Sequence, residues 1–154
     1  MIWSLAVVVV IVVAFIFLRP SKADEYNIGP EQLQALLEKL CLSEEGAWMS
    51  VMFMPGGQLD FGKGQDFLSL SFAIDAPEQE RNKLSAIDSF SNLGLEAQET
   101  ETNGFKHLEC KLPLNHGQAS TYALSIINSL RGESAEPFIA IPEGFDYKEV
   151  MEKS

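Results

Sequence analysis

The chain has 154 residues, and its first 18 carry no charged side chain; all 11 Lys and Arg and all 22 Asp and Glu follow them. The formal net charge of −11 excludes a basic nucleic-acid footprint, which needs clustered Lys and Arg to neutralise phosphate. At 46% hydrophobic and 21% charged the composition is that of a folded protein, the charged part is long enough for one domain, and two cysteines are too few for a disulfide framework.

Residues 2–18 read IWSLAVVVVIVVAFIFL. At about 1.5 Å rise per residue they span about 25 Å, a little short of a hydrocarbon core of roughly 30 Å. Met1 and the snorkelling stems of Arg19 and Lys22, with some local thinning of the bilayer, cover the shortfall. The expectation is a transmembrane anchor held in the lipid bilayer, with Ile2 and Trp3 at one interface, Leu18 and Arg19 at the other, and Pro20 ending the helix. The rival reading is a signal peptide cut near Ala23, which leaves the domain secreted or periplasmic. Against it, no Lys or Arg precedes the apolar run, and the run exceeds the usual signal-peptide length. Arg19 and Lys22 follow the segment, so the positive-inside rule places the C-terminal domain in the cytoplasm. Cys41 and Cys110, with no disulfide framework to join, suit a reducing compartment.

Residues 19–29 read as a short polar linker and 30–154 as the domain. Pro30 suits a first helical position, and Leu33, Leu36, Leu37 and Leu40 form one apolar stripe, which predicts a helix over 30–42. Residues 47–54 (AWMSVMFM) predict a strand, 58–61 a short second strand and 67–74 a third, joined by glycine-rich turns as a meander. Asp75, Pro77 and Glu78 read as a helix start with Asp75 as cap, and Leu84, Ile87 and Phe90 as its buried side, with Gly94 as the stop. Asn103-Gly104 is a strong hairpin signal. A two-residue turn there sets Thr102 opposite Phe105, Glu101 opposite Lys106, Glu99 opposite Leu108, Ala97 opposite Cys110, Glu96 opposite Lys111 and Leu95 opposite Leu112. Residues 118–130 predict a helix whose inner face is Ala119, Tyr122, Ala123, Ile126, Ile127 and Leu130, closed at Gly132. The tail holds Phe138, Ile139 and Ile141 between prolines, and Asp146 caps a last short helix with Tyr147, Val150 and Met151.

The order α-βββ-α-ββ-α predicts an α+β fold, an antiparallel sheet with helices on one face. The same order occurs in the small export-chaperone-like fold, which binds protein segments; that is a likeness of element order alone, carried by no motif. The alternative is a ferredoxin-like fold built on strand 67–74, the hairpin, and 137–141 as last strand.

Little in the sequence marks chemistry. Gly57-x4-Gly62-Lys63-Gly64 resembles a phosphate-binding loop, but Gly64 stands where Ser or Thr is needed, and a strand follows instead of a helix. His107 and Cys110, three apart on a strand, point to opposite faces and cannot form a nucleophile–base pair. Cys110 and Cys41 read as small hydrophobes, the latter with a helix-end position that suits a reactive thiol. His116 reads as a turn or capping residue. Two histidines nine apart do not make a metal site. Glu96, Glu99, Glu101 and Glu109 crowd the hairpin opposite Lys106 and Lys111, the pattern of a solvated, salt-bridged surface. No cofactor or catalytic signature is present.

Strand 47–54 is too apolar for a strand with one wet face. Met49, Val51 and Phe53 form the uniformly apolar side and should face the core. Trp48, Met52 and Met54, with Ser50 among them, form the side expected to be partly open and to bind a protein partner. The functional expectation is a non-enzymatic, single-pass membrane protein whose domain binds another protein close to the bilayer. The alternative is a membrane-tethered ligand-binding domain or enzyme, favoured by a pocket where His116, Glu side chains or Cys41 converge.

Overall fold

Between Phe67 and Ala73 large apolar side chains alternate with small ones, and the fold turns that alternation into two unlike faces. Leu68, Leu70 and Phe72 are fully buried, whereas Phe67, Ser69, Ser71 and Ala73 are half-buried on the other side. The computed structural model describes residues 24–54, 56–131 and 137–152. The expected anchor with Ile2, Trp3, Leu18 and Arg19, the alternative cut near Ala23, and Gly132 lie outside the described residues. Among the described residues no helix is long and apolar enough to cross a membrane.

The elements, in chain order, are β1 (Tyr26–Ile28), α1 (Pro30–Cys41), β2 (Trp48–Phe53), β3 (Gly57–Lys63), β4 (Phe67–Ala73), α2 (Pro77–Arg81), α3 (Lys83–Asn92), β5 (Gln98–Thr102), β6 (Phe105–Pro113), α4 (His116–Arg131), β7 (Phe138–Glu143) and α5 (Lys148–Glu152). The fold is α+β: one antiparallel sheet in the order β1-β7-β2-β3-β4-β6-β5, with five helices among the described residues. The expected α-βββ-α-ββ-α order runs from α1 to α4, with additions at both ends. Residues 26–28, read as linker, pair with β7, and the tail segment read between prolines is β7 itself. A ferredoxin-like arrangement needs that last strand beside β4; here β2 and β3 stand between them.

The core lies between one sheet face and helices α1, α3 and α4. Leu33, Leu36, Leu37 and Leu40 of α1 are fully buried, as their spacing predicts. Each such side chain contributes about 1.5–3 kcal/mol relative to exposure. In α4, Ala119, Ala123, Ile126 and Ile127 are buried, and Tyr122 and Leu130 pack at the margin. The helix starts at His116, two residues earlier than expected. Asn115 caps it, its Oδ1 accepting from the Gln118 N–H at 3.0 Å, so His116 is helical and caps nothing.

The segment after β4 departs from its expected form. The Asp75 carboxylate accepts from the Lys106 N–H at 3.5 Å, and the helix begins one residue later, where Gln79 Oε1 accepts from the Ala76 N–H at 2.9 Å. A break at Asn82 divides the helix. Phe90 is buried and Ile87 packs at the margin as expected, but Ala86 and Ser89 complete the buried side of α3, and Leu84 is 75% exposed. Ser89 is buried because its hydroxyl bonds the Ser85 carbonyl at 2.8 Å and Ser129 of α4.

The β5–β6 hairpin has the expected turn and register. Asn103 and Gly104 both take positive φ, 54° and 83°, and Thr102–Phe105, Glu101–Lys106 and Glu99–Leu108 are paired. The ladder stops at Gln98–Glu109, so Ala97–Cys110, Glu96–Lys111 and Leu95–Leu112 do not form. Residues 93–95 instead close α3: Gly94 is left-handed, and the Leu95 N–H returns to the Phe90 carbonyl at 2.9 Å. Lys111 and Leu112 pair with Ser69 and Leu68 of β4.

Candidate functional site: the open face of the sheet

In β2, Met49, Val51 and Phe53 point into the core, as their uniform apolarity predicts. Trp48, Ser50 and Met52 occupy the opposite face, and Met54 follows at the turn. Trp48 is 36% exposed and Met54 66%, Met52 is half-buried and Ser50 is 8% exposed. Strand β7, beside β2, extends this apolar ground: Ile139 pairs with Met52 and Ile141 with Ser50. Both isoleucines are half-buried. Neither was assigned to the surface by sequence, although the alternation Phe138-Ile139-Ala140-Ile141 carries the period of a strand.

The other half of the face is polar. Reading across the strands through the register, Ile141, Ser50, Asp60, Ser71, Glu109 and Gln98 form one row. Ser50 donates to Asp60 Oδ1, and Gln58 Nε2 lies 3.0 and 3.2 Å from the two carboxylate oxygens of Asp60. These neutral donors fix the carboxylate's orientation, and they are why a serine is tolerated among Trp48, Met52 and Ile141. His107 Nε2 lies 3.2 Å from Glu109 Oε2, and the Thr100 hydroxyl donates to the same oxygen at 3.4 Å. Trp48 stands opposite Gly62, and a Cβ on that glycine would come within 2.6 Å of Ser69 Oγ, so the Ser69 hydroxyl fills the space beside it.

A recess of about 490 Å³ opens at one corner of this face, where the start of α2 reaches the sheet. Its walls include Gln58, Asp60, Ser71, Asp75, Lys106 and His107. A larger open groove, about 850 Å³, runs between α1 and α5 and is edged by the Lys39–Glu149 ion pair at 3.3 Å. Its walls are mainly the outer side chains of helices. Neither recess is lined by Cys41 or His116.

The chain matches no protein-family model, no curated protein and no solved structure. What the face can do therefore follows from its own groups. Cys110 is in the core, and burial, then the nearby Glu109 charge, pushes its thiol up to about 11. Burial also raises the Cys41 thiol, with Lys63 opposing. Raised thiols are poor nucleophiles. His107 lies on the open face and Cys110 on the covered one, as their spacing predicts.

The hairpin carboxylates are partnered differently from expectation. Glu99 bonds Lys83 of α3 at 2.7 Å, and that hydrogen bond holds its carboxyl below the usual range. Glu109 pairs with His107, and Lys111 lies over the Phe67 ring at 4.5 Å. In the loop resembling a phosphate site, Lys63 ends β3 and donates to the Gly64 carbonyl at 2.8 Å; β4 follows, with no helix N-terminus to hold phosphate.

Proposed function

We propose that the chain is a single-pass membrane protein, anchored through residues 2–18 with its domain on the cytoplasmic side, and that the domain binds another protein through the open face of the sheet. The observation that carries the binding reading is Trp48, 36% exposed beside Met52, Met54, Ile139 and Ile141, on the face that the core helices leave uncovered. Tryptophan and methionine at a surface suit protein recognition, and buried tryptophans often dominate interface energy. The anchor reading rests on the uncharged run and the Arg19 and Lys22 that follow it. Because β1 begins at Tyr26, the free tether after Leu18 is about seven residues, a reach of at most about 25 Å. The sheet edge at β1 would then lie close to the bilayer.

The polar recess supports a second reading, a small polar ligand held by Asp60, Ser71 and His107. It is the weaker one, because the apolar ground on β2 and β7 lies outside that recess.

Two experiments test the main reading. The anchored protein should resist alkaline carbonate extraction and retain Met1 or Ile2, whereas a mature N-terminus near Asp24 would remove the anchor. A photo-reactive phenylalanine analogue at Met54 should give a discrete adduct in intact membranes. The same probe at Leu84, more exposed still on α3, should not. Identical adducts from both positions, or none from Met54, would overturn the binding reading.

A further inference from the structure

The charge of the open face limits what can lie on it. All 22 acidic residues fall within 24–152, while Arg19 and Lys22 lie outside the domain, so the domain is more acidic than the chain's net −11. On the face itself Asp60, Glu109 and Glu143 outnumber Lys111, whose ammonium lies over the Phe67 ring. Two copies joined through this face would bring like charges together, and an anionic lipid surface would be repelled by it.

Within the recess, Asp60 receives hydrogen bonds from the neutral side chains of Ser50 and Gln58, and among the described residues no Lys or Arg ion-pairs with it. Asp75, exposed at the rim, receives the Lys106 backbone N–H at 3.5 Å. Lys106 and His107 share the walls of the recess with these two carboxylates, and the Lys106 charge also reaches Glu99. Two carboxylates and one lysine thus border a recess of about 490 Å³ beside the apolar strip, and Asp60, bonded only by neutral side chains, is the carboxylate at its strip side.

We propose that the occupant of the face is a basic amphipathic segment of a partner protein. Its apolar side chains lie on Trp48, Met52, Ile139 and Ile141, and an Arg or Lys enters the recess beside Asp60. This deepens the reading of the face as a protein-binding surface and rests on it. An amphipathic segment in an apolar groove supplies area, and the charge pair fixes its register and direction.

The test uses the full chain in zwitterionic nanodiscs, with Trp3→Phe so that Trp48 is the single indole. Three synthetic 18-residue amphipathic peptides share one leucine face and carry Lys, Gln or Glu on the other. Trp48 emission should report the Lys peptide binding about tenfold tighter than the Gln peptide, with the Glu peptide weakest. Asp60→Asn should weaken the Lys peptide about tenfold and leave the Gln peptide unchanged. Glu38→Gln, on α1 behind the sheet, should change neither. If Asp60→Asn disturbs folding, Asp75→Asn, at an exposed rim position, should weaken the Lys peptide severalfold instead. Equal affinity for the Lys and Gln peptides would overturn the charge inference and leave the binding face standing. No response of Trp48 to any peptide, together with no adduct at Met54, would remove the binding face as well. Binding that ignores Asp60→Asn but falls with Glu38→Gln, or a dimer abolished by Trp48→Ala, would also overturn the proposal.

Discussion

The two faces of β4 share a backbone and differ in almost everything else. Leu68, Leu70 and Phe72 are sealed under α1, α3 and α4, while Ser69, Ser71 and Ala73 look outward between two strands that carry Asp60 and Glu109. The covered face is a packing problem, and its residues are fixed by volume and apolarity. The open face is not needed to close the core, so its Trp and Met, its oriented carboxylate and its recess call for another explanation.

The sharpest way to break this contrast is to substitute neighbours on the same strand. Leu70→Ala should cost roughly 2–5 kcal/mol, read as a lower urea midpoint, because it leaves a cavity in the buried face. A loss under about 1 kcal/mol would mean that the covered face is loosely packed. At the hairpin, Gly104→Val should cost about 1–3 kcal/mol, since φ of 83° strains a β-branched residue while the added Cβ meets nothing. An unchanged midpoint would place the turn elsewhere.

Cys110 gives a smaller, pH-dependent signature of the covered face. The fold holds its proton to about pH 11, whereas the ordinary value is 9.0. Below pH 9 both states keep the proton and the full contribution is present. Between 9 and 11 only the unfolded chain releases it, so stability falls as pH rises, by up to about 1.4 kcal/mol per unit. Cys110→Ala should flatten that slope in urea titrations at pH 8.5–10.5; an identical slope would mean the thiol is not sealed. Smallest of all, Ser71→Ala on the open side should shift stability by less than about 0.5 kcal/mol. A larger loss in the same assay would give that face a structural role.

Much of the covered face was legible in the sequence. The four leucines of α1 and the Met49-Val51-Phe53 alternation each mark one face by local period alone. The Asn103-Gly104 turn fixed the hairpin register for the same reason: the information is local. What escaped needed distant pairing. Residues 138–143 have a strand's alternation, but two prolines make them resemble a tail, and only β2 on one side and β1 on the other turn them into a strand inside the sheet. Leu84, Ile87 and Phe90 all lie after the break at Asn82, but a three-residue spacing drifts by about 60° per step on a helix, so Phe90 stays buried while Leu84 rotates out. The open face divides in the same way. Trp48, Met52 and Met54 were visible along one strand, whereas the Ser50-Asp60-Ser71-Glu109 row exists only once the strand order is known.

The open face is proposed as a binding surface that folding does not require. Its most direct test is Trp48→Ala in the full-length protein, measuring affinity for the partner crosslinked at Met54 together with thermal unfolding by circular dichroism. The expected result is about thirtyfold weaker binding, the scale of a 2 kcal/mol interface anchor, with a cooperative unfolding transition retained. Undiminished affinity, or a domain already unfolded at 25 °C, would contradict it, the second by making Trp48 part of the core.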